Sequence, residues 1–432
     1  MALSTQPVKG ARDFYPEQMR VRNYIFSKWR EVCERFGYEE YDAPILEPTE
    51  LYLSKGNEEI IAEQTYTFKD RGDRSVTLRT EMTPTVSRMV AARRQEAPYP
   101  LRWYSMPQCW RYERMQRGRG REFYQLNVDM FGNTDFAADQ ELIEVADAVM
   151  RAFGAKPAMY NIKVNSRKLM DYVLLDFIGL DETQAQTMRR LIDNRAKVAP
   201  AEFKAKLDVM FSPAQRETNK AAQLMDFLDA GSLDEITAEL QTRPEVGELK
   251  QLLANLEIVG ISNASFDPSL IRGFDYYTDI AFEVNDVNPE NNRSMFGGGR
   301  YDGLVELFGV EALSGVGFAM GDITLVNFLE SNSLIPKLKP STELYVCGLG
   351  DGAQKVAQQL RGMEINTAFD STGRKLEKQI KTAEKLGIRY ILFVGAKELA
   401  EEQFGLKDLV TGEQEAHSLE RIVSIVKDFR KA

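Results

Sequence analysis

The clearest pattern of hydrophobic and polar positions in this chain has a period of two. Between residues 122 and 130, Phe123, Gln125, Asn127 and Asp129 share one face of a β-strand, while Tyr124, Leu126, Val128 and Met130 share the other. One face belongs to a core and the other makes a polar floor. A second alternating stretch, residues 271–284, sets Asp275, Tyr277 and Asp279 against Phe274, Tyr276, Ile280 and Phe282. Helical spacing rules elsewhere. Val21, Ile25, Trp29, Val32 and Phe36 form one stripe on a helix that Gly37 closes, and residues 38–48 read as extended because Pro44 and Pro48 exclude helix. Residues 64–70 and 75–79 read as two short strands around an Arg-Gly-Asp turn. A helix starts near Thr85, which leaves Glu81 and Thr83 at a strand-to-helix junction. Residues 139–153 give a helix with Leu142, Val145, Ala146 and Val149 on its apolar side. Residues 315–325 read as strand, turn and helix with Asp322 as N-cap.

The pattern also divides the chain. From Ser166 to about Leu256 it is almost continuously helical, which marks a helical insertion (166–256) within a first domain, 1–330. A Pro- and Lys-containing linker covers 331–340. The last unit, 341–432, alternates strands at 344–349, 365–369 and 390–394 with helices at 353–361, 374–386 and 418–429, the pattern of a small α/β domain. Its middle helix sets Arg374, Lys378, Lys381 and Lys385 on one face against Leu376, Ile380 and Ala383. Such a basic face suits an RNA backbone or simply faces solvent.

Composition narrows the chemistry. With 432 residues, 43% hydrophobic and 28% charged, the chain is long enough for two or three domains, and it holds no run of eighteen apolar residues. The start of the sequence lacks the order of a signal or transit peptide, so a cytoplasmic location is expected. Cys33, Cys109 and Cys347 are odd in number and far apart, which indicates neither a disulfide framework nor a zinc site. A single histidine, His417, sits near the C-terminus, so His-dependent triads and zincins are excluded. The net charge of −10 argues against nonspecific nucleic-acid coating but leaves room for a local basic site.

Residues 111–125 supply such a site. Arg111, Arg114, Arg117, Arg119 and Arg121 surround Gly118 and Gly120, so guanidiniums suited to phosphate oxygens meet a backbone free to approach a ligand. The stretch reads as an anion-binding hairpin, with a solvated, charged turn as the plain alternative. Three glycines at 297–299 imply close backbone approach or a bulge.

Together these stretches resemble the histidyl-tRNA synthetases, a family of class II aminoacyl-tRNA synthetases, along nearly the whole chain. Lys9-Gly-Ala-Arg-Asp-Phe14 is similar to the family's N-terminal signature, residues 37–48 to the first class II motif and 111–125 to the second. Arg272-Gly-Phe-Asp-Tyr-Tyr-Thr278 resembles the family's histidine-binding motif, followed by its Gly-Gly-Arg-Tyr-Asp-Gly partner at 298–303. The resemblance implies an α+β fold: an antiparallel catalytic sheet of six or seven strands flanked by helices, the helical insertion, and a C-terminal α/β anticodon-binding domain. It implies a homodimer that uses ATP, with Mg²⁺, to activate L-histidine as the adenylate and then loads tRNA(His). By the same resemblance, Arg111 and Arg272 act at the α-phosphate, Glu113 and Arg119 complete the ATP site, and Glu81 and Thr83 hold the substrate amino group. Gln125, Asp129, Tyr276, Tyr277 and Tyr301 surround the rest of the histidine, with Arg272 also at its carboxylate. Gln116 and Arg117 of the arginine loop, and Arg374, Lys378 and Lys381 of the basic helix face, are the candidates for tRNA contact.

The sequence departs from the family pattern in two places. Met115 replaces a usual proline in the second motif. Gly321-Asp-Ile-Thr-Leu325 stands where many members have Gly-x-Glu-Arg-Leu, so Thr324 replaces an arginine that meets the terminal phosphates. The rival reading is a silent paralogue that senses histidine as a regulatory subunit. Such paralogues lack the C-terminal domain and degrade the Arg-Gly-x-Asp-Tyr-Tyr motif, and both are present here.

Overall fold

The computed structural model describes residues 3–53, 64–195, 198–271, 276–291, 294–348 and 351–431. The chain forms two compact units, 1–15 with 22–335, and 336–432, with 16–21 grouping with the second.

The first unit is organised on one sheet. Its strands, in chain order, are β1 (Glu39–Glu40), β2 (Leu46–Pro48), β3 (Thr67–Lys69), β4 (Ser75–Leu78), β5 (Leu101–Ser105), β6 (Gln108–Trp110), β7 (Glu122–Phe131), β8 (Tyr160–Ser166), β9 (Ala264–Phe266), β10 (Ile280–Asp286), β11 (Ser294–Arg300) and β12 (Gly315–Gly321). The sheet order is β1-β5-β7-β12-β11-β10-β8-β9, with β6 paired to β7. The six central strands, β5 to β8 in that order, are antiparallel, as expected of the fold. The sheet as a whole is mixed and nine-stranded, because β1 joins β5 and β9 joins β8 in parallel. These two strands carry two and three residues, too short for a sequence period to reveal them. A separate sheet, β2-β4-β3, holds the turn at 70–74, where Asp73 adopts a φ of 59°.

Two helices line the hydrophobic back of the sheet. Leu126, Val128 and Met130 of β7 are buried, as are Leu142, Val145, Ala146 and Val149 of one helix (Ala137–Ala152) and Leu325, Phe328 and Leu329 of another (Asp322–Ser331). The long helix Pro16–Arg35 ends as its sequence predicts. Gly37 takes a φ of 78°, and Ile25, Trp29, Val32 and Cys33 are its buried stripe. The helix expected near Thr85 starts at Thr83, with Met82 at its cap.

The helical stretch runs from Arg167 to Ile258. Ser166 is the last residue of β8, and its hydroxyl accepts the Leu169 N–H, so the strand hands over to the first helix through an N-cap. Within the stretch read as alternating from 271, the described residues 276–279 are not strand and β10 begins at Ile280, while 272–275 lie outside the described residues.

In the second unit, β13 (Leu344–Gly348) lies between β14 (Thr367–Phe369) and β15 (Tyr390–Val394) in parallel. A hairpin, β16 (Phe404–Asp408) and β17 (Gln414–His417), completes the sheet β14-β13-β15-β16-β17. Helices Asp351–Gly362 and Leu419–Lys431 accompany it, and Val356, Leu360, Ile422 and Val426 join its core.

Candidate active site

The front of the large sheet is a floor from which side chains have been removed. β12 reads Gly-Val-Gly-Phe-Ala-Met-Gly, and Val316, Phe318 and Met320 oppose Met130, Val128 and Leu126 on the core face. Gly315, Gly317, Ala319 and Gly321 therefore lie on the other face, opposite Phe131, Asp129, Asn127 and Gln125. β11 extends the same surface with Gly299 and Gly297, which pair with Gly317 and Ala319.

The space is already used by neighbouring side chains. A Cβ on Gly317 would stand 2.4 Å from Asp129 Oδ1 and 3.0 Å from Tyr301 Oη, and one on Gly299 would stand 2.8 Å from the Tyr277 ring. One on Gly315 would meet the Tyr301 ring at 2.7 Å. Gly298 and Gly299 of β11 are thus explained by close approach, without a bulge at the glycines.

An acid and three tyrosines gather over this floor. Tyr301 donates its hydroxyl to Asp129 Oδ1, and Tyr276 donates to Glu81 Oε2 at 3.1 Å. The Tyr276 and Tyr277 rings lie 4.9 Å apart, and Tyr276 meets Tyr301 edge-on at 6.0 Å. Burial, reinforced by the negative Glu81, pushes Asp129 up to about 7 against the opposing pull of the Tyr301 hydrogen bond. Burial, followed by the charge of Asp129, holds Tyr301 well above the usual phenol range.

Asp129 Oδ2 and both polar atoms of the Asn127 side chain are buried with no hydrogen-bond partner among the described residues. Buried polar atoms without partners are rare in folded proteins and expensive to maintain. Gln125, on the same row, is buried and accepts a long contact from the Cys109 thiol at 3.8 Å. Thr83 is buried at the start of its helix, two residues from Glu81.

The arginine loop stands at the end of this row. Arg111 donates through Nε to the Thr80 carbonyl at 3.0 Å, and its guanidinium covers the Phe123 ring at 5.4 Å. Glu113 holds Arg119 at 3.1 Å and lies 3.9 Å from Arg111, so one carboxylate serves two guanidiniums. Arg121 stacks on Tyr112 at 3.8 Å. The tip turns between Gln116 and Arg119, with the Arg119 N–H donating to the Gln116 carbonyl at 2.9 Å and Gly118 at a φ of 81°. Gln116 and Arg117 are exposed there.

The remaining residues fall elsewhere or in other roles. Arg272 lies outside the described residues, as do Phe274 and Asp275. Asp322 is the first residue of its helix, with Gly321 at the cap position; its carboxylate instead accepts Arg12 Nη2 and the Tyr124 N–H, both at 2.9 Å. Thr324 donates to the Met295 carbonyl at 2.9 Å, and its methyl faces Gly118, where a Cβ would stand 3.4 Å away. Arg374 precedes the helix Leu376–Lys385 and pairs with Asp370 across a turn, so it does not belong to a helix face. Lys378, Lys381 and Lys385 do share that helix and are exposed, whereas Gln379 is wholly buried and bonds both backbone groups of Gly348 at 3.1 Å.

Three features escaped the sequence reading. The small–large alternation of β12 was visible as a period of two and marks the floor. Arg300, on the back face, carries a buried ion pair with Asp139 and donates to the Asn133 and Asp135 carbonyls at 2.9 and 3.0 Å. Nothing local in sequence links Arg300 to a residue 161 positions away. Tyr41 is half-buried, and its buried hydroxyl lies close enough for the Asp129 charge to act on it.

A mixed sheet with an antiparallel centre, a glycine-lined front, a buried acid and an arginine loop at one end is the arrangement of a class II aminoacyl-tRNA synthetase. Comparison with known proteins gives the particular branch. Residues 10–324 match the family described as Histidyl-tRNA synthetase, and residues 337–429 match the Anticodon binding domain. A histidine–tRNA ligase of Leptospira biflexa is 39% identical, covering 99% of this chain and 98% of that relative. One of Haloarcula marismortui is 36% identical over 94% of each. The crystal structure of histidyl-tRNA synthetase from Nostoc sp. PCC 7120 superposes with a TM-score of 0.82 at 25% identity, covering 99% of this chain and all of that one. The chain belongs to the histidyl-tRNA synthetase family.

Proposed function

We propose that this chain joins L-histidine to tRNA(His) in two steps on the floor formed by β7, β12 and β11. The observation that carries the reading is Asp129: one carboxylate oxygen is taken by Tyr301, and the other is buried without a partner among the described residues, beside a surface of glycines. An imidazole N–H is the donor that such an acceptor fits. A ring lacking it leaves the acid unpaired, which can discriminate by ~10⁴. Tyr277 and Tyr301 wall the ring, Gln125 extends the polar row, and Glu81, with Tyr276 and Thr83, meets the ammonium group.

ATP lies toward the arginine loop, with Arg111 at the α-phosphate and Arg119 and Glu113 around the rest. Mg²⁺ arrives on the polyphosphate as part of that substrate. The histidine carboxylate attacks the α-phosphorus and pyrophosphate leaves; a ribose hydroxyl of the tRNA end then attacks the carbonyl carbon and AMP leaves. Arginines stabilise charge on the phosphoryl oxygens, and no enzyme nucleophile is needed. Arg272 is the second arginine of this step by sequence resemblance, acting at the α-phosphate and the histidine carboxylate.

We assign catalysis to residues 1–330, interrupted by the helical insertion at 166–256, and anticodon reading to 341–432 after the linker 331–340. Gln116 and Arg117 meet the acceptor end, while Lys378 and Lys381, with Arg374 beside them, meet the anticodon arm. The working form is a cytoplasmic homodimer. Exposed Ile45, Leu46 and Phe68 on the small sheet support a second copy there. No described helix is long and apolar enough to cross a membrane. The match of residues 337–429 to the Anticodon binding domain weighs against a histidine-sensing regulatory subunit.

Histidine-dependent exchange of pyrophosphate into ATP tests the reading. Exchange that requires histidine and Mg²⁺ is the expected result. Binding of histidine without exchange would sink the enzyme and return the regulatory alternative.

A further inference from the structure

Residues 10–14 lace the return leg of the arginine loop to the start of the helix Asp322–Ser331. The Gly10 carbonyl accepts the N–H groups of both Arg121 and Glu122, at 3.1 and 3.2 Å. The Arg12 N–H donates to Glu122 Oε2 at 2.9 Å, while Glu122 Oε1 accepts Gln108 Nε2 at 2.6 Å. Arg12 Nη2 reaches Asp322, whose other oxygen holds the Tyr124 N–H. Phe14 packs on Tyr124 at 6.0 Å, under the guanidiniums of Arg12 and Arg22, each 4.9 Å from its ring.

Two glycines make this lacing close. Gly10 adopts a φ of 91°, and a Cβ there would fall 2.7 to 2.8 Å from the Arg121 side chain. A Cβ on Gly120 would meet Ile323 Cδ1 at 2.9 Å. Both contacts require the loop, the strap and the start of the helix Asp322–Ser331 to sit within van der Waals distance.

We propose that residues 10–14 are a positioning strap for the phosphate-binding loop. The strap pins the loop's return leg, at Arg121 and Glu122, to the β12-to-helix junction, and so fixes where Arg111 and Arg119 stand. Its Arg12 lies on Asp322, whose carboxylate also holds the Tyr124 N–H, and over the Phe14 ring. The inference rests on ATP being held by that loop. It assigns part of the geometric work to a segment remote from the chemistry, where a displacement of about 1 Å can cost about a hundredfold in rate.

The test compares Arg12→Ala, Arg12→Lys and Gly10→Ala with the wild type. In pyrophosphate exchange, the KM for ATP is expected to rise about tenfold in Arg12→Ala and Gly10→Ala, with the KM for histidine within about twofold. Arg12→Lys keeps a cation on Asp322 and recovers most of the loss. Equal increases in both KM values, or none, overturn the strap. Amide hydrogen exchange gives a readout independent of activity, because the Arg121 and Glu122 N–H groups lose protection in Gly10→Ala. Unchanged protection refutes the strap whatever the enzyme does, whereas a wild type without exchange activity refutes the enzyme and leaves the protection result standing.

Discussion

Tyr301 and Asp129, 172 residues apart in sequence, share one proton-donating contact at the bottom of the site. The bond orients the carboxylate and leaves Oδ2 as the only atom of that group without a partner among the described residues. Because burial raises Asp129 to about 7, its charge is in balance near neutrality. Histidine KM should therefore rise as pH falls below 7, as the acceptor becomes protonated. Asp129→Asn should raise histidine KM about a hundredfold, flatten this profile and leave ATP KM within a few fold. A variant that keeps the wild-type profile would release Asp129 from the ring.

The same acid links stability to pH. Its folded value lies above the ordinary carboxyl value of about 3.9. Between about pH 4 and pH 7 the unfolded chain releases this proton while the folded chain retains it, so the residue's contribution to stability falls across that window and is constant above it. Urea unfolding of wild type and Asp129→Asn should show the difference moving in favour of the variant from pH 4 to 7. A difference that does not change with pH means the folded carboxyl is not raised.

Gly317→Ala forces a methyl to 2.4 Å from Asp129 Oδ1 and 2.7 Å from the Val128 carbonyl. Overpacking of this kind costs about 1–3 kcal/mol. The melting temperature should fall modestly while histidine KM rises at least tenfold. A rise in ATP KM alone would mean the floor belongs to the nucleotide.

Arg300 and Asp139 are both almost wholly buried. Asp139→Asn leaves the guanidinium the longer, partly exposed Asp302 contact at 3.7 Å and should destabilise by about 3 kcal/mol in chemical unfolding. A loss under about 1 kcal/mol would show that Asp302, with the Ser314 hydroxyl and the Asn133 and Asp135 carbonyls that Arg300 also reaches, suffices.

In the second unit, Lys378→Glu with Lys381→Glu should raise tRNA KM while histidine-dependent exchange stays at the wild-type level. These lysines are exposed, so folding should be spared within about 0.5 kcal/mol. An unchanged tRNA KM assigns that helix face to solvent.

Much of this arrangement was legible because it is periodic. The alternation from Phe123 to Met130 put Gln125, Asn127 and Asp129 on one face, and the structure keeps them there, opposite β12. The stripe from Ile25 to Val32 and the insertion's helical run were legible for the same reason. Resemblance, rather than period, brought in Glu81, Tyr276 and Tyr301, which meet only through tertiary folding. Alternation overshot at residues 276–279, where two adjacent tyrosines both reach the site; a strand would have sent them to opposite faces. The roles of Asp322 and Arg300 were illegible, since each answers partners more than 150 residues away.

The glycine floor has a consequence for changing what the enzyme accepts. Pockets are usually enlarged by trimming a side chain, yet Gly297, Gly299, Gly315 and Gly317 have nothing left to trim. Room for a bulkier amino acid must come instead from side chains such as Tyr277 and Tyr301, which pack on those glycines, and shortening Tyr301 also strips Asp129 of its donor. Along these four glycines the backbone itself is the limit of the surface, and enlargement by side-chain truncation has nothing there to act on.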